Sequence, residues 1–155
     1  MCSSDLQGRR VIPGMIDTHS HPSYFTARPG YFVPLDDATS IADVQARVRA
    51  RAAGVPAGQW ITALGGFNLT HIKENRMPTA AELDAAAPAH PVLFVLGGFG
   101  RDTGAANSLG QKWLAEQGVK FDNEQGAVTD AAARAAINAL RVRMTFDDQK
   151  RQLAD

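Results

Sequence analysis

The sequence predicts an α/β fold, on three observations. Extended apolar segments alternate with segments of helical period along its 155 residues, the pattern of strand–helix–strand units. Val92 to Leu96 is an unbroken apolar run between Pro91 and Gly97, the composition of a buried strand. Helix starts are spelled out in capping residues, most fully at Thr79 with Glu82 three positions on.

Taken in order, Val11 and Ile12 are apolar and β-branched, Pro13-Gly14 signals a turn, and Met15 to Asp17 restarts an extended run. Residues 22–39 mix prolines and aromatics without a period and read as a long loop. Ser40 is an N-cap for a helix carrying Ile41, Val44 and Val48, with Gly54 as its stop. Gln59 to Leu64 is a short strand ending in Gly65-Gly66, and residues 68–77 are polar and irregular. The helix opened by Thr79 ends at Pro88. After the strand at 92–96, Ser108 to Gln117 forms a helix stopped by Gly118, and 119–128 suggests a hairpin around Asn123 to Gly126. Ala131 to Leu140 and Phe146 to Leu153 are helices, the second capped by Thr145 with Asp148 in its first turn.

Composition narrows the function classes. The chain is 45% hydrophobic and 21% charged, ordinary globular values. Sixteen basic and sixteen acidic residues cancel, so there is no field to draw nucleic acid. The longest apolar run falls far short of the roughly 20 residues of a membrane span. Cys2 is the single cysteine, which leaves no internal disulfide. Residues 1–6 lack the regions of a signal peptide. Cys-Ser-Ser-Asp-Leu is what a common sequencing-adapter end encodes, so residues 1–6 are read as a non-native leader and Cys2 carries no functional weight.

The chemistry rests on Asp17-Thr18-His19-Ser20-His21. On a strand, alternate side chains share a face, which sets His19 and His21 about 6–7 Å apart at Cα and free to converge on one metal. Neutral imidazoles suit zinc, iron or nickel. A metal so held lowers the pKa of bound water from about 15.7 to about 7. Asp17, on the same face, is placed to orient a ligand histidine. Spacing alone is weak evidence, because a bare His-x-His is more often a surface or capping feature.

The surrounding residues decide between these readings. Gly8-Arg-Arg-Val-Ile-Pro13-Gly14-Met-Ile-Asp17-Thr-His19-Ser-His21 resembles the entry segment of the amidohydrolase superfamily. Trp60-Ile61, Arg76 to Thr79, Glu82 to Pro88, Pro91-Val92 and Asn107-Ser108 resemble its family-three branch, which includes N-substituted formamide deformylases. The resemblance spans about residues 7 to 128 of this sequence. It implies a partial (β/α)8 barrel truncated at both ends, with residues 7–155 as the N-terminal portion of the barrel domain. It implies His19 and His21 as metal ligands after the first barrel strand, a divalent metal, zinc first, and a small-molecule amide-type substrate. The remaining ligands and the catalytic acid/base are expected beyond residue 155, since a whole barrel takes about 250 residues. Many relatives carry a histidine five positions before the Asn-Ser pair where this chain has Asp102, so no substrate role transfers there.

Two other readings stand beside it. Gly98-Phe-Gly100-Arg-Asp-Thr-Gly104, with Asp122 about twenty residues on, resembles a dinucleotide fingerprint. Its bland alternative is a glycine-rich strand-to-helix turn, favoured because too little chain follows Asp122 to finish a nucleotide-binding sheet. The third reading is a non-catalytic remnant. His71 and His90 are read as loop histidines and Trp60 and Trp113 as core. Oligomeric state is left open.

Overall fold

The computed structural model describes residues 14, 16, 26–97 and 102–154. Among the described residues five strands form one sheet in sequence order: β1 (Tyr31–Phe32), β2 (Ile61–Leu64), β3 (Val92–Leu96), β4 (Thr103–Ala106) and β5 (Ala127–Thr129). The helices are α1 (Ile41–Ala52), α2 (Ala80–Ala86), α3 (Ser108–Glu116), α4 (Asp130–Arg141) and α5 (Phe146–Ala154). β1, β2 and β3 run parallel, joined through α1 and α2, while β4 is antiparallel to β3 and β5 to β4. The α/β expectation is met, as an open sheet among the described residues.

The period-2 alternation of β3 sorts two cores. Val92, Phe94 and Leu96 face Ile41, Val44 and Val48 of α1 and Leu83 of α2. Leu93 and Val95 face Leu114 of α3 and Ala133, Ala136 and Leu140 of α4. With helices against both faces, every β3 residue is buried, which is why the strand is apolar throughout rather than alternating.

Capping follows the sequence signals. The Ser40 side chain accepts from the Asp43 N–H at 3.1 Å. Thr79 and Glu82 make a full capping box, and Arg76 grips Glu82 with two nitrogens at 2.7 and 2.8 Å. That hydrogen bonding, chiefly from Arg76, holds the Glu82 carboxyl down at about 2. Thr145 and Asp148 cap α5 reciprocally.

Several expectations are corrected. The loop read over 22–39 contains β1, whose Tyr31 N–H bonds the Trp60 carbonyl at 2.7 Å. The segment read as a strand-to-helix turn leads instead into β4, and α3 starts only at Ser108. β4 was hidden because Thr-Gly-Ala-Ala lacks the branched and aromatic residues that mark strands. Its small residues answer a packing need: a Cβ on Gly104 would lie 2.5 Å from the Phe94 carbonyl oxygen. The hairpin read at 119–128 is a tight turn, with the Asp122 N–H on the Ala127 carbonyl at 2.8 Å. The ladder of β5 is with β4. Gly54 lies two residues past the end of α1, whose cap is Ala53 in right-handed geometry. Ile16, expected in an extended run, belongs to no strand and is 87% exposed; Met15 and Asp17 lie outside the described residues.

Candidate active site

Parallel strands gather their ligands at their C-terminal ends, where loops leave the sheet. Here that end is built from glycines and carboxylates. β2 runs into Gly65 and Gly66, both left-handed at φ +74° and +68°, conformations that glycine adopts without strain. Asp36 leans into the space left by Gly66, where a Cβ would lie 2.5 Å from its Oδ1. Beside β3, Gly97 leaves room for Asp102 in the same way. Asp102 is held by the Arg134 guanidinium at 2.7 Å, its side chain 14% exposed. Its carbonyl accepts the Asp130 N–H at 2.7 Å. Arg28 stacks over Phe32 at 3.9 Å; burial pulls its guanidinium below the ordinary value, and Asp36 partly offsets this.

Among the described residues no three His, Cys, Asp or Glu side chains come together as metal ligands. His19 and His21, with Asp17, lie outside the described residues. Their chemistry still fits a divalent metal, since two neutral imidazoles are good donors to borderline cations. Two carboxylates, Asp36 and Asp102, occupy the strand ends, and Asp102 is neutralised by Arg134.

The other two histidines join no metal-ligating group among the described residues. His90 is buried in the turn before β3, its Nδ1 3.2 Å from the Gln59 carbonyl. His71 closes a short 3-10 turn (Leu69–His71) on the exposed surface. Trp60 and Trp113 are half-buried against the second core, so the core reading holds in part. The nucleotide reading fails on topology: a dinucleotide fingerprint needs its glycines to open a helix after the strand, and β4 intervenes.

The residue that reading the sequence undervalued is Asn107. It is fully buried. Its Oδ1 accepts the N–H groups of Val92 at 2.8 Å and Gly110 at 2.9 Å, and its Nδ2 donates to the His90 carbonyl at 2.8 Å. Ser108 adds two bonds to Asp84 of α2, at 3.0 and 2.5 Å. The signal was the Asn107-Ser108 pair, met as a family likeness without a physical role. It locks the N-terminal end of β3 to the start of α3, and α3 to α2.

Residues 4–96 match the amidohydrolase family, a stretch that includes His19 and His21. The chain belongs to that family. It is 34% identical over 95 residues to the N-substituted formamide deformylase of Arthrobacter pascens, covering 59% of this chain and 17% of that one. It is 32% identical over 107 residues to the exoenzymes regulatory protein AepA of Pectobacterium carotovorum subsp. carotovorum, covering 67% of this chain and 22% of that one. The chain therefore spans about a fifth of the length of these curated relatives. Two crystal structures share its fold. One is an uncharacterized metal-dependent hydrolase from Pyrococcus horikoshii OT3 (TM-score 0.53, 21% identity, 77% of this chain and 26% of that one). The other is an uncharacterized metal-dependent hydrolase from Pyrococcus furiosus (TM-score 0.55, 20% identity, 82% and 28%).

Proposed function

We propose that residues 7–155 are the N-terminal portion of the (β/α)8 barrel of a metal-dependent hydrolase that cleaves a non-peptide, amide-type carbon–nitrogen bond. The observation that carries this is the family match over residues 4–96, within which the motif Asp17-Thr-His19-Ser-His21 falls. The named relative that acts on a C–N bond, the formamide deformylase, supports the choice of bond, and the metal-dependent hydrolases support the choice of cofactor.

His19 and His21 would hold a divalent cation, zinc being one of several metals that imidazole donors suit. Once bound, such a cation would supply Lewis acidity toward a carbonyl oxygen and would acidify a water enough to attack at neutral pH. Asp17 would orient a ligand histidine and set its tautomer. Two ligands are one short of the three protein groups usual in catalytic zinc sites. Hydrolysis also calls for a third ligand and for an acid to protonate the leaving nitrogen.

The test joins this chain to the part of the formamide deformylase that lies outside the matched stretch. The joined protein hydrolyses N-substituted formamides or related amides, chelation stops it, and His19→Ala or His21→Ala removes the activity. A joined protein indifferent to both substitutions contradicts the reading, and one inactive on every amide-type substrate points to a non-catalytic remnant.

A further inference from the structure

At the N-terminal ends of the parallel strands, opposite the glycine turns, lies a cleft of about 500 Å³. That is within the range of small-molecule sites, roughly 300–1,000 Å³. Its wall is aromatic. Trp60, just before β2, and Trp113 of α3 meet edge to face, their centroids 5.4 Å apart at 75°. Leu109 and Met144 extend the apolar lining, and Arg143, Asp148 and Arg151 stand on the rim.

The rim charges are not equivalent. Arg151 is committed: it bonds Asp148 at 2.8 Å and stacks over Tyr31 at 4.2 Å. Asp148 is committed too, because it also accepts from the Thr145 N–H and hydroxyl. Arg143 differs. It sits exposed in the turn between α4 and α5, 5.2 Å from the Trp113 ring. Among the described residues, no hydrogen bond or ion pair engages its side chain. A guanidinium offers five donors in a planar fork matched to a carboxylate. The cleft thus pairs two tryptophans set edge to face with a guanidinium over one of their rings, whose N–H donors take no partner among the described residues, and its formal balance of two cations to one anion favours an anionic guest.

We propose that this cleft is a second ligand site, which takes a small aromatic carboxylate. The ring of the ligand packs against Trp60 and Trp113, with Leu109 and Met144 at its edges, and its carboxylate is held by the Arg143 fork. The site shares no residue with the proposed metal centre, and its test reads binding rather than turnover, so the two stand or fall separately.

Tryptophan fluorescence reports on this site directly, because the chain contains two tryptophans and both line the cleft. Benzoate titrated into the 155-residue chain gives a saturable change with a dissociation constant of about 1 mM or tighter. Arg143→Gln weakens it about tenfold, the loss of a charge-assisted pair. Arg143 is exposed, so that variant keeps the parent melting temperature. Trp113→Phe, followed by calorimetry, binds more weakly with its carboxylate partner intact. Benzyl alcohol, which has the ring without the charge, and acetate, which has the charge without the ring, each bind at least about tenfold more weakly than benzoate. No saturable change with benzoate overturns the proposal. So does unchanged affinity in Arg143→Gln, or either control binding as well as benzoate.

Discussion

The two ends of the parallel sheet are built on opposite plans. At the N-terminal end, β3 enters the molecule through backbone groups tied to a buried side chain, with Asn107 bonded to Val92, Gly110 and His90 at once. Thr62 adds a buried bond to the Pro29 carbonyl at 2.6 Å, which fixes the entry to β1. At the C-terminal end the chain leaves the strands through left-handed glycines. What holds that end is ionic and peripheral: Asp102 with Arg134, and Glu82 with Arg76. One end fixes the strands, and the other leaves backbone and charge near solvent, where a site can form. Barrel enzymes divide stability and chemistry between ends in the same way.

The comparison breaks first, and by the largest margin, at Asn107. Asn107→Ala leaves the buried Val92 N–H and His90 carbonyl without their side-chain partner and removes the cap of α3. A loss of about 3–5 kcal/mol is expected from these unsatisfied groups, read as a shifted midpoint in urea unfolding. A loss below about 1 kcal/mol means that the N-terminal end is not the anchored one.

A smaller contrast sets one glycine from each end side by side. Gly58, before β2, is left-handed at φ +80° with nothing within 4 Å of where a Cβ would stand, whereas Gly66 has Asp36 in that space. Gly58→Ala costs about 1 kcal/mol from backbone strain alone, and Gly66→Ala about 2 kcal/mol because Asp36 must also move. Equal losses in thermal melts would show that Asp36 does not depend on that gap.

The ionic effect is also small. The folded Glu82 carboxyl sits at about 2, against an ordinary 4.5. A depressed carboxylate stabilises the fold above its unfolded value and loses that contribution as the pH falls through the folded one. Glu82→Gln therefore costs about 1 kcal/mol at neutral pH, solvent screening having cut the exposed pair with Arg76. The gap to the parent closes as the pH falls from 4.5 toward about 2. A gap independent of pH would assign the effect to the capping geometry rather than to the charge.

What could be read in advance divides by physical signal. The strand at β3, the capping box at Thr79 and the stripe of α1 announced themselves because local propensity and burial agree there. β1 was hidden among prolines, being two residues long and held by pairing with β2 rather than by its own composition. β4 was hidden because its Gly104 and alanines serve close packing between β3 and β5, which only the assembled sheet explains. The ligand pair proposed at His19 and His21 rests on its motif and lies outside the described residues. Asn107 was not legible as an anchor, since its partners lie on segments that only the fold brings together.

The central claim is that the chemistry belongs to His19 and His21, and metal binding tests it most directly. Zinc titrated into the 155-residue chain, followed by calorimetry or competition with a chromogenic chelator, binds weakly with one equivalent, because two imidazoles leave the ligand set incomplete. Affinity falls in acid, because protons compete with the metal for the imidazole nitrogens. His19→Ala and His21→Ala each abolish the binding. A double alanine variant that binds zinc as tightly as the parent contradicts the account.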